Sequence, residues 1–497
     1  MAREAVWGGI RRARLKWAAV LGALALITAA VASASSPNRP ISSDPYTNAS
    51  SMHKTQVEPH AFGQGNTIVA AFQSGRFFDG GSSNIVTSTS LDAGPWWAKN
   101  ALPGTTVYQG GPYARVSDPA VAYDAMHNVW LVASLALDAS VRGAAILVSR
   151  STNGGRSFAN PVTVAAVGGG SFDKSWAACD NWPTSPHYGN CYAEWDDNGL
   201  GNLLTMSTST DGGLTWGSAR QPSGSPSGLG GLPIAQPNGN VVVSYTANYG
   251  AIEAFRSTNG GATWTSAVTV ADQILHSPAG GIRSLPLPSA SVDSAGKLYV
   301  IWYDCRFRTN CASNDIVMST STDGVTWSGV TRIPIDATSS TVDHFLHAIA
   351  VDPATSGSSA RIAVGYYYYP VSNCNPATCQ LDFGFVASSD GGTSWTTPVQ
   401  LAGPMTVTWL PPTSQGNMVG DFVGVAFAGA PRMAHPVFAT ATANSGSVFH
   451  ENMASAGIDV ASLAGHVRAH REVVRVGKFG RGPGRALPGD TEFPSTQ

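Results

Sequence analysis

A chain of 497 residues that is 43% hydrophobic but only 12% charged, with 55 Gly and 31 Pro, can build a large core but not long solvated helices. That mixture favours many short strands and turns. A formal net charge of −2, with no long Lys/Arg run through the centre of the chain, argues against nucleic acid or an anionic membrane as a partner held by charge.

At the N-terminus, Arg3, Arg11, Arg12, Arg14 and Lys16 precede an apolar stretch from Trp17 to Val31, followed by Ala32-Ser33-Ala34, the small-x-small pattern of a signal-peptidase site. Residues 1–34 are therefore read as a signal peptide and the protein as secreted. An uncleaved anchor is the alternative, because the stretch is near the lower limit of a membrane span. No later segment is apolar enough to cross a bilayer, so no membrane span is expected once the signal is removed. Residues 35–57 are expected to supply an N-terminal segment and a ring-closing strand, and 58–456 the folded domain. Residues 457–497, with Arg468, Arg471, Arg475, Lys478, Arg481 and Arg485, read as a basic flexible tail, or alternatively as a segment binding an acidic cell surface.

An internal repeat organises the folded domain. It reads Ser209-Thr210-Asp211-Gly212-Gly213-Leu214-Thr215-Trp216 in its strongest copy and recurs around Asn153, Asn259 and Asp390, with imperfect copies around Asp92 and Asp323. The Asp or Asn can accept backbone N–H bonds across its own turn, the glycines supply positive φ, and the aromatic residue buries the turn against a sheet. Successive copies lie 61, 58, 48, 64 and 67 residues apart from Asp92 onward, room for one four-stranded sheet each.

Strand-like runs such as Val129–Ala133, Val241–Tyr245 and Leu298–Tyr303 fill the intervals. The fold class expected is an all-β propeller of these repeats. Three strand-like runs after the last repeat, completed by a strand from before Glu58, favour seven blades, and six with an accessory sheet is the alternative. Six cysteines fall into three sequence-local couples, Cys179/Cys191, Cys305/Cys311 and Cys374/Cys379, and proximity favours those disulfides in an exported protein. A metal reading of the cysteines lacks a CxxC pair or a nearby His cluster.

Serial Ser-x-Asp-x-Gly-x-Thr-Trp boxes of this kind resemble those of the sialidase (neuraminidase) superfamily, over residues 58–456. The resemblance implies a glycoside hydrolase that removes terminal sugars from extracellular glycans by a retaining mechanism. In that family three arginines hold the substrate carboxylate, a Tyr activated by a Glu is the nucleophile and an Asp is the acid/base. The Phe-Arg-Ile-Pro motif that usually carries the first arginine is absent, so no catalytic residue transfers by motif. The alternative is a non-catalytic propeller that binds glycan, cell wall or protein.

Candidate residues come instead from the face opposite the boxes, where loops enter the first strand of each blade. Several charged residues recur there at matching places, in Glu58-Pro59-His60, Ser117-Asp118-Pro119, Phe172-Asp173-Lys174, Asp343-His344-Phe345 and Gly420-Asp421-Phe422. The catalytic candidates are Asp118 or Asp173 as acid and, as nucleophile, Tyr303 beside Asp304 or one of Tyr366 to Tyr369 with Glu58 or Glu194 nearby. Against that tyrosine run stands the ordinary reading of buried strand residues. The substrate-binding candidates are Arg76, Arg115, Arg283 and Arg306 as a carboxylate clamp, with Asp304, His344 and Asp421. No cofactor and no metal is expected, and the protein is expected to be a monomer.

Overall fold

The computed structural model describes residues 38–463 and the backbone of residues 466–468. Residues 1–34, on which the export reading rests, lie outside the described residues.

The fold is an all-β propeller. Antiparallel meanders follow one another along the chain. Their first strands, Gln56–Gln64, Arg115–Asp124, Phe172–Cys179, Leu229–Ala235, Ser289–Val292, Asp343–Val351 and Gly424–Ala428, contribute residues to a common channel. The second strands show why these sequences settle in this arrangement. Val129–Leu137 and Leu298–Asp304 are buried at every position, on both faces, as a strand sandwiched between neighbouring sheets must be.

The expected seven, or six, separate four-stranded blades need correcting, because among the described residues five sheets carry four or more strands. The first two meanders are joined into one eight-stranded sheet through the single pair Ser82 and Val116. The sheet of Phe172–Cys179, Cys191–Asp197 and Leu203–Ser209 keeps three strands, since its return segment touches it mainly at the isolated Met206–Arg220 bridge.

Each repeat caps the hairpin that follows the third strand of its meander, and its hydrogen bonds are those its residue types predict. Ser209 Oγ donates to Asp211 Oδ1 at 2.8 Å, and Gly213 N–H donates to Ser209 Oγ at 2.9 Å. The N–H groups of Leu214 and Thr215 both donate to Asp211 Oδ1. The Ser-to-Asx bond, the Gly-to-Ser bond and at least one N–H bond to the Asx oxygen recur around Asn153, Asn259, Asp323 and Asp390. Gly212 and Gly213 hold φ of 71° and 76°, which a side chain at either position would strain.

The short strand Arg39–Pro40 pairs with Glu451–Ser455 and so adds the outermost strand to the last sheet. Ser42 Oγ fastens it further by accepting from Met453 N–H at 2.7 Å. The reading of 457–497 as a flexible tail needs correction at its start. Ile458 and Val460 are buried, Ala434 and Ile458 exchange two backbone bonds, and His466–Arg468 pairs with Ser394–Thr396. Apolar side chains there reward packing that the charge pattern alone does not reveal. The three disulfides are the sequence-local ones, and among the described residues no helix is long and apolar enough to cross a membrane.

Candidate functional site

Three of the matching charged positions turn out to be one structural device. Register shifts fall between Val57 and His60, Ser117 and Ala120, Asp173 and Trp176, Leu229 and Leu232, and Phe345 and His347. Inside them Glu58, Asp118 and Lys174 adopt φ of 55°, 49° and 46°. A bulge inserts one residue into an inner strand and re-aims its side chain. The left-handed conformation costs a residue with a side chain about 1–2 kcal/mol, which surrounding contacts must offset.

Those contacts form a buried ionic cluster. Arg283 Nε donates to Asp421 Oδ1 at 2.6 Å, and Arg283 Nη2 donates to the other oxygen. Lys174 Nζ lies 3.0 Å from Asp421 Oδ2 and 3.5 Å from Asp173 Oδ1. Gln73 links the other side, donating from Nε2 to Glu58 Oε2 and, at 3.0 Å, to Ser117 Oγ. Ser117 in turn donates to Asp118, and Arg76 donates to Gln73 Oε1 at 3.1 Å. Glu58, Asp118, Asp173, Arg76, Arg283 and Asp421 are therefore brought together, although they are far apart in sequence. The backbone of Val419 accepts from Glu58 N–H at 3.1 Å, which sets Asp421 beside Glu58.

Electrostatics divide this group. Burial, then the charges of Asp421 and Asp118, push the Glu58 carboxyl well above its usual range, against Lys174 and Arg283. Burial also works on Asp421, but the Arg283 and Lys174 charges outweigh it and hold that carboxyl below the usual range. Glu194 and Asp196, both fully buried, are pushed well up by burial and by neighbouring acids.

The other predicted residues stand elsewhere. Arg115 grips Asp79 and lies 4.2 Å from the centroid of the Phe77 ring. Arg306 donates from Nε and Nη2 to the two oxygens of Asp304, at 2.8 and 2.7 Å. Asp304 also accepts from Ile274 N–H and Trp302 Nε1, so it anchors a loop. Three of the four candidate arginines thus have their two-pronged face filled by an aspartate, and an open three-arginine clamp is not formed. For Arg283 and Arg306 the physical reason is burial, since a guanidinium with little solvent near it must carry its counter-charge with it, whereas Arg115 meets an Asp79 side chain that is 55% exposed.

Tyr303 is buried, its hydroxyl bonds the Ser284 carbonyl at 3.2 Å and its ring meets that of His347 edge-on. Tyr366, Tyr367 and Tyr369 are buried strand residues, as the ordinary reading has it. His344 is buried too, with Nδ1 at 3.0 Å from the Asn314 carbonyl and its ring against Tyr366. Arg308 and Arg332 bind Asp315 and Asp336 in a separate network.

A channel of about 430 Å³ runs between the inner strands and meets the ionic cluster at Lys174 and Asp421. Sequence reading missed its aromatic wall, Trp176 and Phe422, whose ring centroids are 5.1 Å apart, with His60 4.5 Å from Trp176. It also missed Gln73, the link between Glu58 and Ser117. Alternation along Asp173–Trp176 is broken by the bulge, so no periodicity could have found Trp176 on this wall. Beside the cluster two loops are bonded together: Arg283 N–H donates to the Asn417 carbonyl and Asn417 N–H to that of Gly281.

No family model matches the chain, and no curated protein matches its sequence. Among solved structures it is similar to a Dyadobacter fermentans protein of unknown function, at 18% identity and TM-score 0.45, over 71% of this chain and 99% of that one. The NanB sialidase of Streptococcus pneumoniae matches at 13% identity and TM-score 0.42, over 86% of this chain and 71% of that one. The α-L-arabinanase of Penicillium chrysogenum matches at 12% and 0.43, over 86% and 99%. What fold and site define together is an all-β propeller with a divided acid–base cluster at the inner end of its channel.

Proposed function

We propose that the chain is a secreted, monomeric glycoside hydrolase acting on extracellular glycans, with Glu58 as proton donor and Asp421 as the carboxylate that stays charged. The observation that carries this reading is the opposite push on two neighbouring carboxylates, one towards the neutral acid and one towards the anion. Glycosyl transfer needs that division of roles. Asp118 and Asp173 tune it through charge, and Trp176 and Phe422 offer flat apolar surface to the C–H face of a sugar.

Membership of the sialidase superfamily and exo-α-sialidase activity are the finer form of the proposal, supported by the serial boxes. In that form Arg283 is the guanidinium that meets the sugar carboxylate, exchanging it for Asp421. The accompanying architecture is a closed ring of seven blades, which follows if the eight-stranded sheet counts as two and the three-stranded sheet as one. Three disulfides are compatible with an oxidising compartment.

A second reading, a non-catalytic propeller that binds glycan, is favoured by burial: the side chains of Lys174, Arg283 and Asp421 are 4%, 2% and 0% exposed. A panel of fluorogenic glycosides, a sialoside included, assayed between about pH 4 and 8 separates the two. Turnover that Glu58→Gln lowers at least ~100-fold supports the enzyme, within the range that a positioned proton donor contributes. Turnover indifferent to that change removes Glu58 from the role. No turnover, with retention on a glycan array, leaves the binding module.

A further inference from the structure

Glu194 and Asp196 sit two residues apart on the strand Cys191–Asp197 and so share one of its faces. That face looks into the seam with the following sheet. Tyr192, on the same face, packs with Ala235, Val243 and Tyr245, and a Cβ added to Gly231 would lie 2.4 Å from Glu194 Cδ. Both acids are fully buried, and none of their four carboxylate oxygens has a hydrogen-bond partner of good geometry, the Gly231 N–H being the one backbone donor that acts on Glu194. A buried carboxylate without partners is too costly to persist as an anion, so the pair needs either protons or a cation. Protonation adds two O–H donors and leaves the oxygens as unpartnered acceptors, whereas one cation satisfies them together.

The surroundings point the same way. Asp118 acts on both acids and Asp173 on Asp196, with Lys174 the opposing charge on Asp196. The register shift between Leu229 and Leu232 leaves Gly230 and Gly231 out of the paired ladder, and bulge carbonyls are the neutral oxygens a hard cation adds to carboxylates. Among the described residues, the group with ligand atoms already within 4.8 Å of one another is Asp315, Asp336 and His344. There Arg308 and Arg332 already neutralise the two aspartates.

We propose that Glu194 and Asp196 bind a hard divalent cation of the Ca²⁺ class, which ties their sheet to the one that follows. The claim is independent of the proposed activity, because its test reads binding and Tm rather than turnover. Chelator-treated full-length protein is titrated with Ca²⁺ alone. The expected result is one ion per chain and a Tm rise of about 3 °C or more at a hundredfold excess over Kd. Both are lost in the double variant Glu194→Gln/Asp196→Asn, whose amides keep the size of the protonated acids. No binding and no Tm shift in the parent protein overturns the proposal, and so does binding that survives in the double variant, which puts the ion elsewhere. If the double variant does not fold, Asp196→Asn alone must weaken Ca²⁺ at least tenfold, and unchanged affinity overturns the proposal equally.

Discussion

Arg283 holds both oxygens of Asp421 across 138 residues of sequence, in a site where neither side chain is more than 2% exposed. The contact joins the loop before the strand Ser289–Val292 to the entry of the last sheet. Removing one partner of a buried pair strands the other charge, which costs about 3–5 kcal/mol. Arg283→Ala is therefore expected to lower the urea midpoint markedly. Arg142→Ala, which opens the exposed pair with Asp138, is expected to change stability by less than about 1 kcal/mol. Equal effects at the two sites would contradict the buried cluster.

Glu58 is held towards its neutral form, so a glutamine should replace it with little structural cost. Glu58→Gln is expected to leave the urea midpoint within about 1 kcal/mol of the parent while abolishing any hydrolysis. A large loss of stability would mean that the carboxylate is ionised and paired in the folded chain.

Asp323 is the turn residue of its box, and the N–H groups of Thr326 and Val325 pull its carboxyl down to about 2. A depressed acid contributes stability above its unfolded value, near 4, and loses it as pH falls towards about 2. Folding stability should accordingly drop across that interval. Asp323→Asn, the residue two other boxes already carry, should flatten that part of the curve. A slope unaltered by the substitution would remove the turn from the account.

Asp343 behaves in the opposite sense, because burial pushes it up to about 7 against the bonds it accepts from Asn314. The folded chain then keeps a proton that the unfolded chain has released, so stability declines as pH rises from about 4 to about 7. Asp343→Asn is expected to reduce that decline, read as the urea midpoint at pH 5 against pH 8.

The Cys179–Cys191 bridge closes a separation of 12 residues and the Cys374–Cys379 bridge one of 5. Loop entropy assigns them about 3 and about 2 kcal/mol. Paired serine replacements measured by chemical denaturation should preserve that order.

The boxes were legible in sequence because their hydrogen bonds are local. Ser, Asp or Asn, two glycines and an aromatic residue within eight positions specify a turn whatever lies around it, and six copies specify repeated sheets. The disulfides were legible for the same reason of short range. Bulges at Glu58, Asp118 and Lys174 left only a hint, the repeated placement of charge at the start of inner strands.

Which charges face one another was decided by the tertiary structure alone. Whether a guanidinium is open or neutralised depends on a partner such as Asp421, brought next to it by sheets that close on an axis. Desolvation there, set by every surrounding sheet at once, pushes both Glu58 and Asp421 up, and the Arg283 and Lys174 charges beside Asp421 are what drive the two apart in protonation. Local residue order determines turns and strands through short-range bonding. Long-range electrostatics and burial, which assign each acid its state, exist only once the ring has formed.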